Sequence, residues 1–153
     1  MSNEASVYAK HIDHVAISVP LGQMDTQIAL YKQLGFEVVH EEEVYGGDQV
    51  REVLLRIGNS DNLIQLLQPL TPESPVAKQI EKQGGRGGLA HVAYRVEDIQ
   101  ATFDDLKARG FNIIDPAPRN GSRGTKVFFM HPKSHTTEGS LGVLFEFVQE
   151  GKK

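Results

Sequence analysis

His14 and His91 open two matching stretches, His14-Val15-Ala16 and His91-Val92-Ala93, and each is followed later by a second polar residue set in an apolar run. Gln65 lies in Leu63-Ile64-Gln65-Leu66-Leu67, and Glu146 lies in Leu144-Phe145-Glu146-Phe147-Val148. The separations are 51 residues for His14 to Gln65 and 55 for His91 to Glu146, a difference that loops absorb. A lone histidine on a strand is ordinarily structural. Four donors at corresponding points of a duplicated chain call for another explanation. A polar residue amid an inward apolar row is costly without a partner, and a divalent metal is such a partner. Two imidazoles, an amide oxygen and a carboxylate leave two places open in an octahedral sphere, which suits a bidentate oxygen substrate. The chemistry would be polarisation of a carbonyl, with the negative charge held as a neighbouring C–H loses its proton. This N/O donor set admits Zn, Co, Ni, Mn or Fe.

Periodicity indicates the elements that must position these groups. Residues 11–19 alternate with β-branched Ile12, Val15, Ile17 and Val19 and read as a strand, stopped by Pro20 and Gly22. Met24, Ile28 and Tyr31 recur at helical spacing, with Gly35 at the expected C-cap. Strands are expected from Phe36, over 50–57 and over 63–67, with turns at Gly46-Gly47 and over 58–61. Residues 69–87 connect the copies and carry a short helix from Pro75 to Lys82. The glycines at 84, 85, 87 and 88 read as a hinge, because no Lys-Ser/Thr pair or helix follows them. The second copy repeats the order: a strand over 89–96, a helix over 97–109 stopped by Gly110, then strands near 111–114, 125–130 and 142–149. The expected fold class is α+β: tandem βαβββ modules forming a curved, partly closed mixed sheet with helices on the outside. The expected organisation is a flexible N-terminus over 1–10 and one domain over 11–149. Within it, module one covers 11–68, the connector 69–87 and module two 88–149, and 150–153 form a tail.

Composition narrows the function. The 153 residues are 39% hydrophobic and 24% charged, ordinary for a soluble globular chain. A net charge of -4 gives nucleic-acid binding no electrostatic support. Without cysteine there are no disulfides, thiolate ligands or thiol nucleophiles. No apolar run approaches a spanning helix and the first ten residues are polar, so a soluble, cytoplasmic protein is expected. His11 falls on the strand face opposite His14, and His40 sits among acids at a surface strand end. His131 and His135 flank a loop. Glu41 to Glu43 read as a solvated face. Arg119, Arg123, Lys126 and Lys133 are available for phosphates or a carboxylate, though long basic side chains are more often plain surface.

The segments His11-Ile12-Asp13-His14-Val15-Ala16-Ile17, Leu66-Leu67-Gln68-Pro69-Leu70, Gly88-Leu89-Ala90-His91-Val92-Ala93, His131-Pro132-Lys133-Ser134 and Gly142-Val143-Leu144-Phe145-Glu146 span nearly the whole chain. Together they resemble the vicinal oxygen chelate (glyoxalase/bleomycin resistance) superfamily and, within it, the methylmalonyl-CoA epimerase family. The resemblance implies metal ligation by His14, Gln65, His91 and Glu146. It implies an isomerase that interconverts 2R- and 2S-methylmalonyl-CoA by abstracting the C2 proton through a metal-stabilised enolate. Glu146 would serve both as ligand and as one acid/base group. The family's second acid/base glutamate aligns with Gly47. Asp48 is one residue away and a methylene shorter, Glu52 is the other acidic residue nearby, and the competing reading makes Asp48 a turn residue only. The expected catalytic pair is therefore Glu146 and Asp48. The loop over 134–140 is longer than the family's usual passage to the last strand. The expected partner is a small acyl-CoA substrate, with no nucleic acid or membrane, and the expected assembly is a homodimer. A lyase acting on a thiol hemithioacetal and a non-catalytic small-molecule-binding module are the competing functions.

Overall fold

The computed structural model describes residues 7–133 and 139–151. The expected N-terminal segment before residue 7, His135 and most of the 134–140 loop lie outside the described residues. Among them are eight strands and three α-helices: β1 (His11–Ser18), α1 (Met24–Gln33), β2 (Glu37–Val44), β3 (Val50–Arg56), β4 (Leu63–Pro69), α2 (Pro75–Lys82), β5 (Gly88–Arg95), α3 (Ile99–Ala108), β6 (Arg119–Asn120), β7 (Lys126–Met130) and β8 (Leu144–Gln149). The chain divides into two compact units, His14–Ala90 and a second made of Met1–Asp13 with His91–Lys153. The division falls inside β1.

In the unit His14–Ala90 the strands run in the order β2-β3-β4-β1. β1 and β4 are parallel, while β2–β3 and β3–β4 are antiparallel. One face of this sheet meets α1. Val19, Val53, Leu55 and Leu66 pack there with Met24, Ile28 and Tyr31 of the helix region. The helix lacks a side-chain cap of its own, and Gln68 Oε1 accepts from the backbone N–H groups of Gly22 and Met24 at 3.2 Å each. Its C-terminus is closed by Phe36 N–H donating to the Tyr31 carbonyl and Gly35 N–H to the Lys32 carbonyl. That motif needs a left-handed residue, and Gly35 supplies it at φ 94. The Phe36 ring meets Tyr31 edge-on at 5.1 Å, the apolar contact that accompanies such a cap. On the opposite face Ala16, Val50 and Leu67 pack with Val76 of α2. Ser74 caps α2, accepting from Val76 N–H, as its place before Pro75 suggests.

The other unit repeats this plan. Its strands run β5-β8-β7-β6, with β5 parallel to β8 and the remaining pairs antiparallel. α3 covers one face through Ile99, Phe103 and Leu106 against Phe128, Met130 and Phe147. Asp98 caps it by accepting from Ala101 N–H at 3.1 Å. Its C-terminus repeats the closure of α1, with Phe111 N–H on the Leu106 carbonyl and Gly110 at φ 83. Lys10 N–H donates to the Arg95 carbonyl at 2.8 Å, tying the first residues to β5.

One expected strand did not form. Residues 111–114 make only an isolated bridge, Ile113 to Met130. Phe111 and Ile113 are instead spent on the core beneath α3. The Asp115 carboxylate accepts from Phe129 N–H at 2.7 Å, taking a donor that a ladder would have used. Pro116 and Pro118 bring no N–H of their own. The edge strand is displaced to the two-residue β6, which pairs antiparallel with β7.

Candidate active site

Strand alternation decides which side chains share a face. In β1 the residues Ile17 and Val15 take one side, leaving His14, Ala16 and Ser18 on the other. In β4, Ile64 and Leu66 belong with the α1 core, so Gln65 faces away from that helix. In β3, Val53 and Leu55 do the same, so Glu52 and Leu54 join Gln65. Register completes the placement: Ala16 is opposite Gln65 across the parallel pair, and Leu54 is opposite Gln65 across the antiparallel one. His14, Gln65 and Glu52 thus occupy one face of this unit's sheet, and all three are buried.

The second unit has the same arrangement. Ala93 is opposite Glu146 in the parallel pair and Phe129 is opposite Glu146 in the antiparallel pair. His91 and Glu146 therefore share the face that α3 leaves uncovered. Their side chains meet, His91 Nε2 lying 3.0 Å from Glu146 Oε1, and both are more than nine-tenths buried. The Phe129 ring stands edge-on to the His91 imidazole at 5.1 Å and 88°, which restricts the tilt of the imidazole plane. Arg119 lies over Phe129 at 5.4 Å and donates to Asp115.

His14, His91 and Glu146 are thus three buried side chains of metal-ligating type. The fit of a cation is tested by Gln65. Its Nε2 donates to Glu52 Oε1 at 2.9 Å, while its Oε1 is buried and makes no hydrogen bond. A buried carbonyl oxygen left unmatched costs about 1–3 kcal/mol, a cost that a bound cation removes. The donors are nitrogen and hard oxygen only, and the residues fit a divalent ion that prefers those ligands.

The other candidates fall elsewhere. Asp48 is half-buried in the turn before β3, where its backbone carbonyl accepts from Ser74 Oγ at 2.8 Å. The acidic group that touches Gln65 is Glu52, not Asp48. His11 and His131 are exposed. His40 pairs with Glu42 at 2.7 Å. Of the acidic run, Glu41 holds Arg51 and Glu43 accepts from the Tyr45 hydroxyl. Arg123 is engaged internally: its Nη2 donates to Asp13 at 3.0 Å, and Arg95 Nε donates to the same carboxylate at 3.1 Å. Asp13 is fully buried beneath these two guanidinium groups.

Two of these relationships went unread in the sequence. Glu52 as a partner of Gln65 had one available signal, an acid inside the apolar run Val50–Leu55 on the side that carries Leu54. Asp13 had none, since Arg95 and Arg123 lie 82 and 110 residues away.

The fold and the paired donors define a small α+β chain in which each unit carries one buried histidine and one buried side chain with an oxygen donor. The chain belongs to the Glyoxalase/Bleomycin resistance protein/Dioxygenase superfamily, whose family model matches residues 13–129. Within that superfamily it is similar to the ethylmalonyl-CoA/methylmalonyl-CoA epimerase of Cereibacter sphaeroides, with 37% identity over 126 residues, covering 80% of this chain and 88% of that protein. The structure of methylmalonyl-CoA epimerase from Mycobacterium tuberculosis matches with a TM-score of 0.83 at 32% identity, covering 99% of this chain and 94% of that one. A variant of Streptomyces coelicolor methylmalonyl-CoA epimerase in complex with 2-nitronate-propionyl-CoA matches with a TM-score of 0.82 at 31% identity, over 95% of this chain and all of that one. These relatives are isomerases by name. Among the described residues no helix is long and apolar enough to cross a membrane.

Proposed function

We propose that the protein epimerises methylmalonyl-CoA at C2, with His14, Gln65, His91 and Glu146 holding one divalent cation. The observation that carries this reading is the doubled placement of a buried histidine and a buried oxygen donor on the sheet face opposite α1 in one unit and opposite α3 in the other, together with the unmatched Gln65 Oε1. When bound, the cation supplies positive charge that polarises the thioester carbonyl and so acidifies the adjacent C–H. Each protein group has a task in keeping with its surroundings. The Glu146 carboxylate takes the C2 proton from one face of the substrate. Asp48, in its acid form, delivers a proton to the other face, and the reverse reaction starts from the exchanged protonation states. Phe129 keeps the His91 ring from tilting, so its Nε2 stays directed at the Glu146 side of the face. The apolar neighbours Ala93, Val127 and Val148 limit water around Glu146.

The same reading includes a cytoplasmic location and a homodimer, the latter checked by light scattering on the purified protein. The decisive experiment is proton exchange. Metal-loaded protein incubated with 2R-methylmalonyl-CoA in deuterium oxide is expected to incorporate deuterium at C2 and yield the 2S form. Absence of both rejects the proposal. Turnover of a glutathione–methylglyoxal hemithioacetal in their place would assign the site to lyase chemistry.

A further inference from the structure

We infer that Glu52 is the positioning residue that sets the orientation of the Gln65 amide and thereby presents its oxygen, not its NH2 group, as a metal ligand. The inference rests on the metal reading of the site proposed above.

A glutamine amide has two ends of nearly equal size, and only one can bind a cation. Nothing in the shape of the side chain selects between them; hydrogen-bond partners do. An ionised carboxylate accepts and does not donate, so it can face only the NH2 end. Glu52 Oε1 receives Gln65 Nε2 at 2.9 Å, and Gln65 Oε1 is consequently turned to the other side, where it is buried without a hydrogen bond. Glu52 itself is 4% exposed and sits in the strand Val50–Arg56 among Val53, Leu54 and Leu55, all buried. A carboxylate in that setting is costly and needs a reason to be retained.

The second unit supplies a built-in control. Register pairs Glu52 with Leu67 and Leu54 with Gln65. The corresponding pairs are Val127 with Val148 and Phe129 with Glu146. The position of Glu52 is thus held by Val127 in the unit whose oxygen ligand is a carboxylate. Both oxygens of Glu146 are competent ligands, so that unit has nothing to orient. Only the unit with an ambiguous amide carries an orienting acid. Glu52 would stand outside the first ring of ligands, where such partners commonly change metal affinity 10–100-fold.

The test uses cobalt(II) titrated into metal-free full-length protein, followed by calorimetry and visible absorption. Glu52→Val is expected to weaken cobalt binding about 10–100-fold. Glu52→Gln, which can donate to Gln65 Oε1 as readily as accept from Nε2, no longer selects one orientation and is expected to lose affinity as well, though less than the valine variant. In a Gln65→Glu background the loss should vanish, because a carboxylate ligand needs no orientation and Glu52 is there a like-charge neighbour. Adding Glu52→Val to Gln65→Glu should leave affinity unchanged or raise it, and that comparison decides the matter even if the single valine variant fails to fold. Equal cobalt affinity in the parent and Glu52→Val overturns the inference alone. So does an equal loss from Glu52→Val in both backgrounds, which would mark a purely structural role. A parent protein that binds no cobalt overturns the metal reading and the inference with it.

Discussion

His91 Nε2 and Glu146 Oε1 stand 3.0 Å apart in a water-poor setting, although strand register places Ala93, not His91, directly opposite Glu146. The contact is diagonal across a parallel strand pair, and both side chains lean toward each other to make it. Two groups that each bring a lone pair are held this close when a positive charge, a proton or a metal ion, lies between or beside them. Glu146→Gln keeps the shape and removes the carboxylate on which the proposed acid/base role depends. The expected result is a fall of about 10²–10⁴-fold in C2 deuterium exchange, measured by mass spectrometry of the recovered thioester. Unchanged exchange would remove Glu146 from the reaction.

The proposed function puts Asp48 on the opposite face of the substrate, so its loss should separate exchange from inversion. Asp48→Ala is expected to abolish epimerisation while deuterium still enters C2 with retention from the Glu146 side. Gly47 offers a rescue: its φ is not left-handed and an added Cβ meets no atom within 4 Å. Gly47→Glu in the Asp48→Ala background should restore inversion. Wild-type inversion in Asp48→Ala alone would show that Asp48 is a turn residue only.

Cation binding to the folded state should appear as stability. At a hundredfold excess over Kd the gain is about 2.7 kcal/mol, or roughly 5–10 °C in Tm. Manganese, cobalt, nickel and zinc can be compared by calorimetric melting after chelator treatment. Gln65→Ala should shrink the shift, and a melting temperature indifferent to every divalent ion would contradict the assigned ligand set.

Asp13 is fully buried against Arg95 and Arg123. Asp13→Asn leaves both guanidinium groups facing a neutral amide in place of a charge. A destabilisation of about 3 kcal/mol is expected in urea unfolding, and a loss below a third of that would mean solvent already screens the pair.

Gly87 has φ 78, and a Cβ there would sit 2.3 Å from the Ser18 carbonyl oxygen. Gly87→Ala should cost at least about 2 kcal/mol, the left-handed backbone and the contact with rigid main chain both opposing it. The control is Gly85→Ala, which shares the positive φ at 81 but meets no atom, and should cost less.

The amino-acid sequence by itself determined what depends on neighbours along the chain. Strand alternation put His14, Gln65, His91 and Glu146 each amid an apolar row. The glycines at 35 and 110 marked both long helix ends, and Pro75 marked a helix start. The duplicated order of elements made those four residues correspond. Tertiary structure decided what depends on register and on distant partners. It turned the expected strand over 111–114 into core packing with a bridge, because Asp115 captured the Phe129 N–H. It placed Phe129 against His91 across the intervening β8, and Glu52 diagonally against Gln65, contacts that periodicity along one strand cannot pair. It also enclosed Asp13 with two arginines from far along the chain. Periodicity reports which side of an element is buried, whereas the identity of the atom that meets a buried polar group is set only when strands align and the sheet closes over it.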